Sequence, residues 1–281
     1  MKNQRFRFLA RGAVLALAYG AFSGVCAMAD GTAPVPETQP GVLAGYLPRG
    51  ALPDSVALLP PPPAEGSAAL AMDQQISQAY LSLEGTPRWK LAGMDANLSF
   101  PWAAGDFACA LNAPVTQTDT PRLYQLLRRA MSDAGASTRA AKDNYKRKRP
   151  FMVNEAPTCT PGAEEHLAQD GSYPSGHTAI GWTWALILSE IAPDQAQAIL
   201  ARGRAFGQSR VICNVHWQSD TIESLELGAG TVARLHDDPT FLADLDAAKS
   251  EIAAAHTKKL APQRDCKAEA DALAQQPPQA P

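Results

Sequence analysis

The chain has 281 residues, 46% of them hydrophobic, and a formal net charge of −3. That length supports one sizeable core or two small ones. The slight acidity argues against a general nucleic-acid binder, whose surface would carry a basic excess.

Residues 1–29 have the layout of a secretory signal peptide. Lys2, Arg5, Arg7 and Arg11 precede an apolar run, and Ala27-Met28-Ala29 gives a small-x-small cleavage pattern. A retained membrane anchor is the alternative reading. Without this segment 21 cations face 28 acids, so the mature chain is acidic, and no later stretch is apolar for long enough to span a membrane. Cys109, Cys159, Cys213 and Cys266 remain. An even count in an exported chain allows two disulfides in any of three pairings. The sequence does not choose among them; the working expectation is Cys109–Cys159 with Cys213–Cys266.

Residues 30–66 hold nine prolines, including Pro60 to Pro63 in a row, and read as an extended arm. From Ser67 onward nearly every segment has a helical pattern. Ser67 caps a helix reaching about Leu83, stopped at Gly85. Thr120-Pro121 opens a helix with Leu123, Leu126, Leu127, Ala130 and Met131 on one face, ended by Gly135. The next runs from Ser137 to Arg147. Thr178 to Ile191 is apolar almost all round, which predicts a helix buried at the centre of the core. Pro193-Asp194 and Asp238-Pro239 open two more. The expected fold is all-α: a single compact helical domain, 67–258, around a buried central helix, followed by a loose tail at 259–281.

Three stretches carry chemistry. The first is KDNYKRKRP, residues 142–150. On a helix Lys142 and Arg149 lie within about 20° of one face, so an ammonium and a guanidinium can converge on one anion. Arg147 and Lys148 point away and read as solvated; Lys146 is undecided. Taken alone, the whole run also fits an ordinary solvated face. The second is GSYPSGHT, residues 171–178, directly before the buried helix. Ser175 can cap, Gly176 lets backbone approach a ligand, and the helix N-terminus favours an anion, with His177 at its rim. An ordinary capped helix start is the plain alternative, and the surroundings of Ser175 do not match a G-x-S-x-G nucleophile elbow. The third is SRVICNVHWQSD, residues 209–220. His216 and Asp220, four apart, stack on one helix face, so Asp220 can accept from one ring nitrogen and leave the other as a nucleophile. A structural His–Asp pair is equally compatible. A metal site of His177, His216 and Asp220 sits poorly beside Arg149 and Arg210.

In order these read K-x6-RP, PSGH and SR-x5-H-x3-D. The set closely resembles the signature of the type 2 phosphatidic acid phosphatase and vanadium haloperoxidase superfamily. ALLPPPPAEGSAAL, GTPRWK, GSYPSGHT and HWQSD resemble its bacterial class A non-specific acid phosphatases more closely still, over about residues 52–245. The resemblance implies a periplasmic enzyme acting broadly on small phosphorylated organic substrates, without metal or cofactor and without nucleic-acid partners. It also implies a homo-oligomer. His216 would be the nucleophile, Asp220 its orienting partner and His177 the acid and then base; Lys142, Arg149, Ser175, Gly176 and Arg210 would bind the phosphoryl group. Transfer to an alcohol acceptor is a further implied activity. A vanadate-dependent haloperoxidase and a phosphate-binding protein with impaired catalysis are the alternatives. One departure bears on the last. After Asp220 the class usually continues with small residues, whereas this chain reads Thr-Ile-Glu-Ser-Leu-Glu, which puts the packing behind His216 in question.

Overall fold

The computed structural model describes residues 35–275; the expected signal peptide, residues 1–29, lies outside the described residues. The elements in chain order begin with a small antiparallel hairpin, β1 (Glu37–Gln39) and β2 (Val42–Leu43). Then come α1 (Ser55–Leu58), α2 (Ala68–Tyr80), α3 (Pro87–Asp95), α4 (Ala108–Leu111), α5 (Pro121–Ser137), α6 (Arg139–Tyr145), α7 (Phe151–Asn154) and α8 (Glu164–Ala168). The last are α9 (Gly176–Ile191), α10 (Ala196–Ile212), α11 (Gln218–Leu235), α12 (Pro239–Thr257) and α13 (Cys266–Leu273). The fold is all-α, as the helical patterning predicts.

Helix α9 is the centre. Its start is fixed by Ser175, whose Oγ accepts from the Thr178 N–H. Its length is explained by an apolar run with no polar face to present to water. It packs against α5, α10, α11 and α12. Trp184, Ala185, Ile187 and Leu188 are buried against Leu123, Leu126, Leu127, Ile199, Phe206 and Phe241, and each of the leucine, isoleucine and phenylalanine side chains contributes about 1.5–3 kcal/mol of hydrophobic stabilisation. The Trp184 indole N–H donates to the Leu127 carbonyl at 2.9 Å, so its one polar atom is satisfied inside the core. Close approach of α9 to α10 depends on Gly181: a Cβ there would sit 2.3 Å from Phe206 Cδ1. Gly181→Ala is therefore expected to lower the melting temperature, by overpacking worth about 1–3 kcal/mol; thermal unfolding that superimposes on wild type would contradict this packing.

Several boundaries differ from the sequence reading. Helix α5 runs past Gly135 to Ser137, because Gly135 keeps helical geometry and lies against Ile180. Helix α6 ends at Tyr145, where Lys146 turns left-handed (φ 45°), and the chain then leaves without helical structure toward Pro150. The Pro-rich arm is packed along part of its length. Tyr46 is buried, its N–H donating to Asp133 and its hydroxyl to Asp244, both at 2.8 Å, with Arg129 3.6 Å over its ring. The segment read as a loose tail includes α13, capped by Asp265 and anchored by Cys266. The disulfides are Cys109–Cys266 and Cys159–Cys213, which corrects the expected pairing. That expectation followed chain order, whereas α13 folds back onto α3, close to α4.

Candidate active site

Three segments meet at the N-terminal end of α9: the stretch from α6 to α7, the turn 171–175, and the turn 213–217 that joins α10 to α11. Asn214 makes the last turn possible by adopting φ 59°, as its place in the sequence suggests. The backbone N–H groups of Val215 and His216 both reach the Arg210 carbonyl, so the end of α10 holds the loop that carries His216.

His216 and Asp220 do not share a helix face. Helix α11 begins only at Gln218, and His216 lies in the turn before it. They meet because Asp220, in the first turn of α11, folds its carboxylate back over the helix N-terminus. Its Oδ2 accepts from the Trp217 N–H at 2.9 Å and lies 3.3 Å from His216 Nδ1. His216 also hydrogen-bonds the backbone of Ser172. On the other side Arg149 Nη1 lies 3.0 Å from His216 Nε2. A guanidinium can only donate, so Nε2 is the acceptor and Nδ1 carries the ring proton. Burial and then Arg149, Lys142 and Arg210 push the His216 pKa well below its ordinary value, which keeps the ring neutral with a lone pair on Nε2.

Lys142 and Arg149 do converge, but through a turn of the chain and not along one helix. Both reach Asp170: Lys142 Nζ at 2.9 Å and Arg149 Nη2 at 3.2 Å from the same oxygen, while Arg139 takes the other oxygen at 3.1 Å. Lys142 also donates to the Gly171 carbonyl. Burial acts to raise the Asp170 carboxyl, but these three cations outweigh it and hold it below the usual value. Burial and the neighbouring Arg149 bring the Lys142 ammonium down to about 8.

Arg210 is the most informative residue. It is buried, and among the described residues its Nε and Nη1 have no hydrogen-bond partner. Burial and Arg149 lower its pKa to about 9. A buried guanidinium left unpaired and pressed by a second guanidinium is costly unless an anion completes it. Ser175 and Gly176 stand beside this cluster. The Ser175 N–H donates to the Asp220 carbonyl oxygen at 3.2 Å, and its Oγ accepts from both the Thr178 N–H and the Thr178 hydroxyl. That leaves the Ser175 proton to donate. The first amides of α9 have no carbonyl partner within the helix. A Cβ at Gly176 would meet only Thr138 Oγ1, at 3.8 Å, so the backbone is not crowded on that side. His177 Nε2 donates to the Ala96 carbonyl at 3.0 Å, which leaves Nδ1 as the nitrogen free to take a proton. Burial first, then Arg210, His216 and Arg149, push its pKa well down.

All eight residues singled out in the sequence are thus gathered at one place. The reading of Arg147 as solvated is wrong. Its guanidinium donates to Asp220 Oδ1 at 2.6 Å, to Ser219 Oγ at 2.8 Å and to Asp73 Oδ2 at 2.8 Å. It turns inward because α6 has already ended, so helical periodicity no longer sets its direction. Lys146 and Lys148 are exposed. Asp170, Ser172 and Asp73 were also missed; for Asp170 the only signal was an acid just before GSYPSGHT. The atypical stretch after Asp220 does not crowd the site. Thr221 and Ser224 are buried, with the Ser224 hydroxyl on the Asp220 carbonyl, while Ile222 and Glu226 are exposed. Among the described residues no group of three or more His, Cys, Asp or Glu side chains is placed to hold a metal ion, and no helix is long and apolar enough to cross a membrane.

Residues 127–240, which include all eight residues singled out in the sequence, match the family model of the PAP2 superfamily. The chain is 44% identical over 209 residues to a non-specific acid phosphatase of Providencia stuartii, covering 74% of this chain and 84% of that protein. It is 41% identical to an acid phosphatase of Zymomonas mobilis, covering 74% and 79%. It is 40% identical to a non-specific acid phosphatase of Salmonella typhimurium, covering 69% and 78%. Three signature blocks meeting at one buried cationic cluster, and identity at this level over most of each relative, place the chain in the non-specific acid phosphatase family of the PAP2 superfamily.

Proposed function

We propose that this acid phosphatase hydrolyses a broad range of small phosphomonoesters in two steps through a phosphohistidine on His216. The observation that carries the reading is Arg210, a buried guanidinium whose Nε and Nη1 have no partner among the described residues, beside a histidine whose Nε2 is unprotonated.

In the first step the phosphoryl oxygens take the donors of Lys142, Arg149 and Arg210, the Ser175 hydroxyl and the Gly176 N–H. Arg149 Nη1 transfers its hydrogen bond from His216 Nε2 to a phosphoryl oxygen, which frees the lone pair. Nε2 attacks phosphorus, the phosphorus–oxygen ester bond breaks, and His177 Nδ1 gives its proton to the leaving oxygen. In the second step water loses a proton to His177 and attacks phosphorus, the phosphorus–nitrogen bond breaks, and inorganic phosphate leaves. An alcohol in place of that water would make the enzyme a phosphotransferase. The donors are fixed before the reaction, so they stabilise the charge spread over the equatorial oxygens without reorganisation.

The acid preference follows from His177. In the free site burial and Arg210 hold its pKa low. An incoming phosphate dianion offsets the arginine charges and raises it, so the group is protonated in the complex at acidic pH and loses its proton as pH rises. Rates should therefore fall on the alkaline side. Export fits the two disulfides, which persist in oxidising compartments. The test is phosphate release from several phosphomonoesters across pH, with and without EDTA and vanadate. The reading expects an acidic optimum, resistance to EDTA and inhibition by vanadate. Tight phosphate binding without turnover, or peroxide-dependent halide oxidation in its place, would overturn it.

A further inference from the structure

We infer that Arg147 is a positioning residue for the reaction: it holds Asp220 so that one carboxylate oxygen is committed to His216. The inference rests on the reading of His216 as nucleophile. Asp220 is fully buried, and its two oxygens are divided between different tasks. Oδ2 faces His216 Nδ1 and the Trp217 N–H, while Oδ1 takes the Arg147 guanidinium at 2.6 Å. The Ser172 hydroxyl also bonds the carboxylate; with Oδ1 held by Arg147 the group keeps Oδ2 toward the ring, and the tautomer with the proton on Nδ1 is maintained.

Arg147 is itself held at a second point. Its Nη2 donates to Asp73 of α2 at 2.8 Å, and Asp73 accepts from the Ser219 N–H at 2.9 Å and the Ser219 hydroxyl at 2.5 Å. The guanidinium lies over the Trp217 ring, 5.5 Å from its centroid. One fork thus ties α2 to the first turn of α11, with the carboxylate that orients His216 as one of its two ends. A lysine could supply the charge but not both ends of this planar contact.

Charge matters as well as direction. Burial acts to raise the Asp220 carboxyl, and Arg147 is the largest influence opposing it. The other charged or titratable groups facing Asp220 are His216 in the 213–217 turn, Lys142 of α6, Arg149 before α7 and Tyr173 in the 171–175 turn. Lys142 and Arg149 are engaged by Asp170, so Arg147 is the cation in direct contact. Without it Asp220 would take a proton at a higher pH, and a protonated Asp220 no longer attracts the His216 Nδ1 proton.

The sign is then fixed. Loss of the Arg147 charge raises the Asp220 pKa, so activity is lost at the acidic end first. Arg147→Gln keeps donors but no charge; Arg147→Lys keeps the charge. Both are assayed with an aryl phosphate over about pH 4 to 8, beside His216→Ala, with melting temperatures recorded. Arg147→Gln should lower kcat about 10- to 100-fold, below the loss seen when a triad carboxylate is itself removed. Its KM should stay within about twofold, because Arg147 touches no phosphoryl ligand. The acidic limb of its kcat profile should move to higher pH, and Arg147→Lys should return that limb toward wild type. A Gln profile that superimposes on wild type, or Gln and Lys variants that fall equally with no shift of the limb, would overturn the inference. Turnover persisting in His216→Ala would instead overturn the mechanism on which it rests.

Discussion

Replacing His216 with alanine should reduce kcat by at least about 10⁴-fold while inorganic phosphate still binds. The expectation follows from a division of labour. His216 Nε2 is the one ring nitrogen in the cluster whose lone pair is fixed by a donor-only neighbour, Arg149 at 3.0 Å, with its proton placed on the opposite nitrogen facing Asp220. The phosphate donors lie on other residues, so the variant loses the nucleophile and keeps the cradle. It also loses a buried ring, which opens a small cavity, but its neighbours Arg149 and Asp220 keep other partners: Arg149 donates to the Leu167 and Val215 carbonyls, and Asp220 pairs with Arg147. A folded, phosphate-binding protein without turnover is therefore the predicted result, measured by steady-state kinetics beside isothermal titration with inorganic phosphate. Turnover within tenfold of wild type would exclude His216 as nucleophile.

Arg210→Met should separate stability from activity. Arg210 is buried with two N–H groups unpartnered among the described residues, and burial together with Arg149 brings its pKa down to about 9. In the ligand-free protein this cation is a liability, because its desolvation is not repaid by an ion pair. An apolar side chain of similar length removes that penalty, so the melting temperature of the free variant should rise by about 2–4 °C, the shift that about 1 kcal/mol produces in a domain of this size. Losing one charged donor to the transferring group should lower kcat/KM by about 10²–10³-fold and weaken vanadate binding in parallel. The opposite pattern, a destabilised protein with normal affinity for vanadate, would show that Arg210 is a structural residue and not a phosphate ligand.

Much of this was legible because the residues that carry chemistry also mark element boundaries. Ser175 had to start a helix because Thr178 to Ile191 has no polar face, and that placed Gly176 and His177 at a helix N-terminus. Asn214 marked the break that carries His216. Periodicity failed where the chain leaves regular structure. Periodicity places Lys142 and Arg149 on one face of a helix, but that helix ends at Tyr145, so the two converge through a turn of the chain instead. The same extrapolation points Arg147 to solvent, whereas it is bound to Asp73 and Asp220. Long-range partners leave no local trace: nothing near Asp73 or Tyr46 announces that they close against residues far along the chain. The disulfides were missed for the same reason, since chain order says nothing about where α13 docks.

The central claim, a covalent bond between phosphorus and His216, is tested most directly in a His177→Asn variant mixed with an aryl phosphate and quenched in alkali. An aryl leaving group departs without a proton donor, so phosphorylation should proceed, while the second step lacks the base that activates water. Mass spectrometry should find one phosphoryl group on the peptide containing His216. A phosphoryl group on Ser175 instead, or turnover with His216 unmodified at every time point, would contradict it.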